Sequence, residues 1–264
     1  MYRRILACCL IIGIGALTGC ISPPPATSGA GYINGTITTG PMGKMPPLSS
    51  RGMHRLGLVM ECKPEVGFHT VGLTVFGNQA EKITDPLVSE PEKRGLFREE
   101  FNRVSDVTLV DLEPEQGGLV AALKFDWWNA KPSLQPSPGL DEQVRRLRAQ
   151  GIDGLLFIRE DRMIDFIGVT NQWLATQGLY QRFNTVAAYG GFHVWIIDLK
   201  TLGLLPNTAY TQALSRPFTA APMKERYADY TVPERAAITE ALKEVLRLNA
   251  AETAVMLKAG RANP

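Results

Sequence analysis

Three acidic side chains, Glu160, Asp161 and Asp165, fall just past the apolar run Ile152–Ile158. Two carboxylates beyond the end of a buried strand suit hydrolytic acid/base work on a glycan or peptide, one giving a proton while the other takes one. They also suit a divalent cation, and strand C-termini are where α/β sheets open their crevices. Arg159 and Arg162 are interleaved with these acids. A solvated, charge-balanced strand exit therefore accounts for the same residues without chemistry, and it is the reading adopted. The remaining reactive side chains are scattered. His54, His69 and His193 pair with no Cys, carboxylate or second His at metal-ligand spacing. His193 sits in an apolar run and reads as a hydrogen-bonded core imidazole, whereas His54 and His69 read as surface residues near strand ends. Trp127-Trp128 precedes the breaker-rich segment NAKPSLQPSPG and reads as a ledge for stacking sugar or peptide, or more simply as an aromatic lid over the core edge. Nucleophile elbow, phosphate loop and dinucleotide fingerprint are absent, and Gly190-Gly191 reads as a turn between strands. The sequence thus assigns no catalytic, cofactor-binding or metal-ligating residue and calls for no cofactor.

The amino-terminal segment is more specific. Met1-Tyr2-Arg3-Arg4 is a basic head, followed by an apolar stretch from Ile5 to Ala16 and then Leu17-Thr18-Gly19-Cys20. About twelve apolar residues are too few to cross a hydrocarbon core, which takes about twenty. A basic head, a short apolar stretch and small residues before a cut make a secretory signal. Leu17-Thr18-Gly19-Cys20 resembles the lipobox of bacterial lipoproteins. That resemblance implies a diacylglycerol on the Cys20 thiol, removal of residues 1–19, and acylation (palmitate in the usual case) of the new amino group. One acyl chain holds a protein to a membrane only marginally, while two or three anchor it durably. The family's sorting pattern retains proteins with Asp after the lipidated Cys at the inner membrane. Ile21 stands there, so the resemblance implies the periplasmic face of the outer membrane, with its lipid as a partner through Cys20.

Composition agrees with an exported, folded body. The 264 residues are 45% hydrophobic and 20% charged, with a formal charge of +2, which excludes a disordered chain, a fibre and a multi-span membrane protein. Loss of Arg3 and Arg4 with the signal leaves acids and bases in balance, so nothing points to a nucleic-acid partner. Cys8 and Cys9 leave with the signal and lipid occupies Cys20. Cys62 then remains without an intramolecular disulfide partner, and reads as a small, inert, buried apolar residue.

The elements that must position these residues follow from periodicity. Residues 20–53, rich in Pro, Gly, Ser and Thr, read as a lipidated Cys and a flexible tether. A structured arm at Tyr32–Thr39, with Asn34-Gly35 closing a hairpin, is the alternative. Residues 54–264 read as one α/β or α+β domain with a mixed β-sheet packed by helices. Strands are expected at 56–60, 68–76, 107–112, 152–158, 177–188, 191–199 and 203–214, and helices at 92–104, 117–125 and 140–150. A long C-terminal helix opens with the capping box Thr231-x-x-Glu234 and carries the stripe Ile238, Leu242, Val245, Asn249, Thr253, Met256, broken only by Asn249.

The helix, Gly151, the strand Ile152–Ile158, Gly178-Leu179-Tyr180 and the strand Phe192–Asp198 resemble, over residues 140–210, periplasmic lipoproteins related to the curli-secretion channel and the peptidoglycan-synthase activators. That likeness implies an oligomeric or enzyme-activating role and transfers no individual functional residue. The expectation is a non-catalytic envelope lipoprotein acting as an adaptor or assembly subunit through an envelope protein partner, with a homo-oligomer among the implied states. A glycan or peptide hydrolase using Glu160, Asp161 or Asp165 is the alternative.

Overall fold

The computed structural model describes residues 36–39, 46–71, 78–112, 116–126, 131–135, 137, 139–160, 163–164 and 173–259. The described chain runs β1 (Thr36–Thr39), a 3-10 turn (Ser49–Arg51), β2 (Arg55–Glu61), β3 (Val66–Val71), β4 (Gln79–Ile83), α1 (Glu90–Val104) and β5 (Thr108–Asp111). Next come α2 (Gln116–Ala122), the hairpin of β6 (Leu123–Asp126) and β7 (Lys131–Leu134), α3 (Leu140–Ala149), β8 (Gly154–Arg159), and the two-residue strands β9 (Met163–Ile164) and β10 (Trp173–Leu174). The chain closes with β11 (Gln177–Arg182), β12 (Thr185–Asp198), β13 (Gly203–Leu204), β14 (Tyr210–Pro217) and α4 (Val232–Ala259). The fold is α+β, a mixed sheet packed by helices, the longest of them at the C-terminal end.

β12 organises the sheet. Its 14 residues span about 45 Å at a strand's rise and serve two half-sheets in turn. Residues 185–190 pair with β11, which continues to β3 and β4, while residues 187–194 pair with β14 and through it with β1. Farther along, residues 193–198 pair with β8, which runs parallel to β2, itself parallel to β5. Gly190-Gly191, expected as a turn, lies inside this strand. The reason is packing: a Cβ on Gly190 would stand 3.2 Å from Val245 Cγ1 of α4, so the missing side chain lets the helix lie close to the sheet. Gly178 answers to a tighter approach, since a Cβ there would fall 1.8 Å from the Gly67 carbonyl oxygen.

Alternation divides the sheet's side chains between two layers. Even positions of β12 (Phe192, Val194, Ile196) join Leu56, Leu58, Met60, Phe97, Phe101 and Leu246 beneath α1 and α4. Odd positions Trp195 and Ile197 join Leu119, Val144, Leu147 and Phe157 beneath α2 and α3. Both faces of β8 are covered, as its uninterrupted apolar run predicts. α3 ends in the expected glycine cap. Gly151 has φ +74°, its N–H donates to Arg148 O at 3.0 Å, and the Ile152 N–H donates to Leu147 O at 3.0 Å, a Schellman pair. α4 begins with the expected box: the Thr231 N–H donates to Glu234 Oε2 at 2.7 Å and the Glu234 N–H to Thr231 Oγ1 at 3.4 Å.

Asn249 in the apolar stripe is fully engaged. Its Nδ2 donates to Gly190 O (3.2 Å) and Val245 O (3.0 Å), and Gln212 Nε2 donates to its Oδ1 at 3.2 Å and to its backbone carbonyl oxygen at 2.8 Å. Thr253 Oγ1 completes the group by donating to Gln212 Oε1 at 3.2 Å. A buried polar network satisfied in this way fixes the register of helix on sheet.

Several boundaries differ from expectation. The folded body begins before residue 54: Thr36–Thr39 pair with β14, and Leu48 and Met53 are buried in the α1/α4 layer. Residues 36–39 are thus structured as a strand, because β14 offers an edge with hydrogen-bonding groups to satisfy, while the hairpin expected at Asn34-Gly35 lies outside the described residues. The second strand begins at Val66 rather than Phe68, and its expected continuation over 72–76 lies outside the described residues. α2 stops at Ala122, where the helix gives way to the β6–β7 hairpin, and the Pro-containing segment after Trp128 supplies β7.

Candidate functional site

Glu160 follows the last residue of β8, and the alternation of the strand turns it toward α1. It is 3% exposed, so the solvated strand exit expected for it is corrected: it is buried, and it is saturated. Lys93 Nζ donates to both carboxylate oxygens, at 2.7 and 2.8 Å, and the Lys63 N–H donates to Oε2 at 2.7 Å. Lys93 is itself buried. The next residue, Arg94, is buried as well and pairs with Asp111 at the end of β5 and with Glu90 at 3.6 Å. Two adjacent cations near the positive end of a helix oppose its dipole, so these carboxylates are what allow α1 to lie where it does. The result is an ion-paired plug over the C-terminal ends of β2, β5 and β8, where a crevice would otherwise open.

Cys62 lies half-buried in the same region, packed against the α1/α4 core. Burial, reinforced by the negative charge of Glu160, pushes its thiol well above the usual range, and a protonated thiol is neither nucleophile nor metal ligand. Among the described residues no group of three or more His, Cys, Asp and Glu is placed to hold a metal ion. Asp161, Arg162, Asp165, Trp127, Trp128 and Cys20 lie outside the described residues.

The opposite face at the same strand ends carries a second row. Register places Glu61 beside Arg159, Arg159 beside His193, and His193 beside Thr211. Arg159 Nε lies 3.4 Å from Glu61 Oε2, and His193 Nδ1 is 2.7 Å from Thr211 Oγ1. The His193 ring stacks on Trp195 at 5.9 Å. His193 is thus half-buried and hydrogen-bonded, close to the core imidazole expected. A carboxylate, a guanidinium and an imidazole in line form a polar ledge able to hold a polar ligand, with Glu61 already committed to Arg159. Sequence reasoning missed this row because its members come from three strands far apart in the chain.

His69 departs from its expected surface position. It is 8% exposed and packs on the same face against Tyr189, ring centroids 6.2 Å apart. His54 is exposed, as expected, and its N–H donates to Asp153 Oδ2 at 2.9 Å. On the α4 side of β3 and β4 there is a shallow cleft of about 240 Å³, lined by Phe68, Thr70, Glu81, Met223, Lys224 and Arg226. No helix among the described residues is long and apolar enough to cross a membrane.

No family model matches the chain, and no curated protein matches it. Solved structures align with it at low similarity. One PelC dodecamer from Paraburkholderia phytofirmans, a form carrying a single Leu-to-Met substitution, aligns over 86% of this chain and 98% of its own at 8% identity and a TM-score of 0.32. A second PelC dodecamer from the same organism aligns over 84% and 96% at 9% identity and a TM-score of 0.33. A DUF330 protein of Xanthomonas campestris aligns over 78% and 82% at 8% identity and a TM-score of 0.39. Identities and scores at this level assign the chain to no family.

Proposed function

We propose that this chain is an envelope lipoprotein that acts without catalysis, as an adaptor or assembly subunit held to a membrane by acylated Cys20. The observation that carries the reading is Leu17-Thr18-Gly19-Cys20 behind a basic head and a short apolar stretch, with Ile21 favouring the outer membrane's periplasmic face. The fate of Glu160 supports the non-catalytic half. A carboxylate holding a buried ammonium with both oxygens cannot exchange protons with a substrate without breaking that pair. The hydrolase alternative is thereby left with Asp161 and Asp165.

The tether in this proposal is shorter than residues 20–53, because Thr36 is already paired in the sheet. A flexible chain from Cys20 to Thr36 averages about 22 Å end to end, which keeps the body beside the bilayer and its partners. In-cell crosslinking of the tethered protein followed by mass spectrometry tests the proposal. Recovery of a discrete envelope partner, or of self-crosslinks, supports it, and loss of that adduct in Cys20→Ser ties the contact to anchoring. Normal cellular function of Glu160→Gln together with loss of function in Asp161→Asn or Asp165→Asn would overturn the non-catalytic role.

A further inference from the structure

Among the described residues Phe183 is a large aromatic side chain left 64% exposed, and its backbone is as unusual as its exposure. Arg182 pairs with Thr185, so Phe183 and Asn184 form a two-residue hairpin loop between β11 and β12. Phe183 has φ +52°, and Asn184 is not among the positive-φ residues. Positive φ at the first central position alone marks a type II′ turn, where glycine is the favoured residue and a bulky side chain is an outlier. Gln181 Nε2 donates to Phe183 O at 2.9 Å, and the Arg182 guanidinium lies 5.4 Å from the centre of the Phe183 ring. Folding disfavours this residue twice, by φ and by exposure, yet the turn holds it outward. Strain of this kind concentrates where a side chain meets something outside the fold.

Charge and topology say what that is. The hairpin over 177–197 and the chain over 208–224 contain no Asp or Glu. Arg182 and the exposed Arg216, at the adjacent end of β14, flank the turn. β1 runs antiparallel to β14 with Thr36 opposite Leu214 and Thr39 opposite Thr211, so its amino-terminal end points toward the turn. The chain leading to Cys20 therefore enters at the end of the sheet that carries Phe183. Thr36 lies level with Gly190 of β12 through Leu214, about 20 Å from the turn at a strand's rise. In the lipoprotein reading, a coiled tether from Cys20 to Thr36 would span about 22 Å.

We propose that the β11–β12 turn, Arg182-Phe183 with Arg216, is a second membrane contact that seats in the anionic headgroup region of the bilayer holding Cys20. The proposal rests on the lipoprotein reading. An aromatic ring backed by guanidinium groups suits the boundary between headgroups and acyl chains, where ring and charge are both satisfied. One ring and two cations bind weakly alone, but a tether of that span supplies a high effective concentration. The contact orients the body, with β12 rising from the membrane and the ion-paired plug near the middle of that strand, at the level of His193.

The test uses the full acylated chain in vesicles of phosphatidylethanolamine and phosphatidylglycerol. An environment-sensitive fluorophore is placed at Asn184→Cys in a Cys62→Ala background. A blue-shifted emission quenched by headgroup-depth quencher lipids is expected. Adding Phe183→Gly should abolish the shift while the protein melts at the same or a higher temperature, since glycine relieves the turn. That opposition separates a membrane contact from a structural role. Vesicle-bound protein whose label stays in water overturns the proposal, as does a label that shifts only when envelope proteins are added, which would mean a protein pocket for Phe183. Intact mass of the same sample reads the anchor separately. A bare Cys20 with a shifted label overturns the lipoprotein reading and supports the turn as a contact in its own right. A bare Cys20 with an unshifted label overturns both.

Discussion

Replacing Glu160 by Gln leaves the Lys93 ammonium buried without its counter-charge, because Lys93 is 1% exposed and Glu160 is the carboxylate 2.7 Å from its Nζ. Removing one member of such a pair costs about 3–5 kcal/mol. For a body of this size each kcal/mol moves the melting temperature by about 2–4 °C, so Glu160→Gln should melt about 6–20 °C below the parent. The partner change is equally informative. Lys93→Met with Glu160→Leu removes both charges and fills similar volume, and should recover most of the loss, leaving the Lys63 N–H short of its acceptor at about 1–3 kcal/mol. Circular-dichroism melts at neutral pH of the parent, Lys93→Met, Glu160→Leu and the double variant form a complete cycle, with Glu160→Gln measured beside them. A Glu160→Gln protein melting within about 2 °C of the parent, a loss of at most about 1 kcal/mol, would refute the buried-pair assignment. It would also return Glu160 to the list of candidate acids.

Three further outcomes follow from the geometry. Asn249→Leu removes the Nδ2 donor to the Gly190 and Val245 carbonyls and the Oδ1 acceptor 3.2 Å from Gln212 Nε2 and should destabilise by about 1–3 kcal/mol, read from urea unfolding, with no change in helix content at low urea. Gly178→Ala forces a methyl toward the Gly67 carbonyl oxygen. The backbone of β3 and β11 must part, so amide exchange across that pair should rise sharply while the β2–β8 amides stay protected. Glu234 is held down to about 2, first by the hydrogen bond from Lys224 and then by the Thr231 N–H. A depressed carboxylate contributes stability that is present above its unfolded-state range near 4.5 and is lost as pH falls through the folded value. The melting difference between the parent and Glu234→Gln should therefore be flat from pH 7 to about 5 and shrink below that. A difference that grows toward acid pH would contradict the capping box.

The fold was largely legible because its signals are local. The caps of α3 and α4 sit where Gly151 and Thr231-x-x-Glu234 place them, and the apolar run at 152–158 marks the doubly covered strand β8. What escaped was non-local. Gly190-Gly191 looks like a turn until α4 is known to press against it, and the pairing of Thr36–Thr39 depends on an edge contributed by β14. The candidate site divides the same way. Lys93 and Glu160 meet only because α1 crosses the ends of β2 and β8, so a cluster of acids and arginines reads as solvated when it is half ion-paired core. Glu61, Arg159 and His193 become neighbours only through strand register. Phe183 gave no sequence signal, since its distinction lies in its φ and its exposure.

Anchoring is the claim on which the adaptor role and the second membrane contact both stand, and intact-mass measurement of the protein isolated from its own membranes tests it most directly. The account predicts a chain beginning at Cys20, heavier than the peptide by a diacylglyceryl group and one acyl chain. A chain that retains residues 1–19, or one that begins at Cys20 with a free thiol, would contradict it.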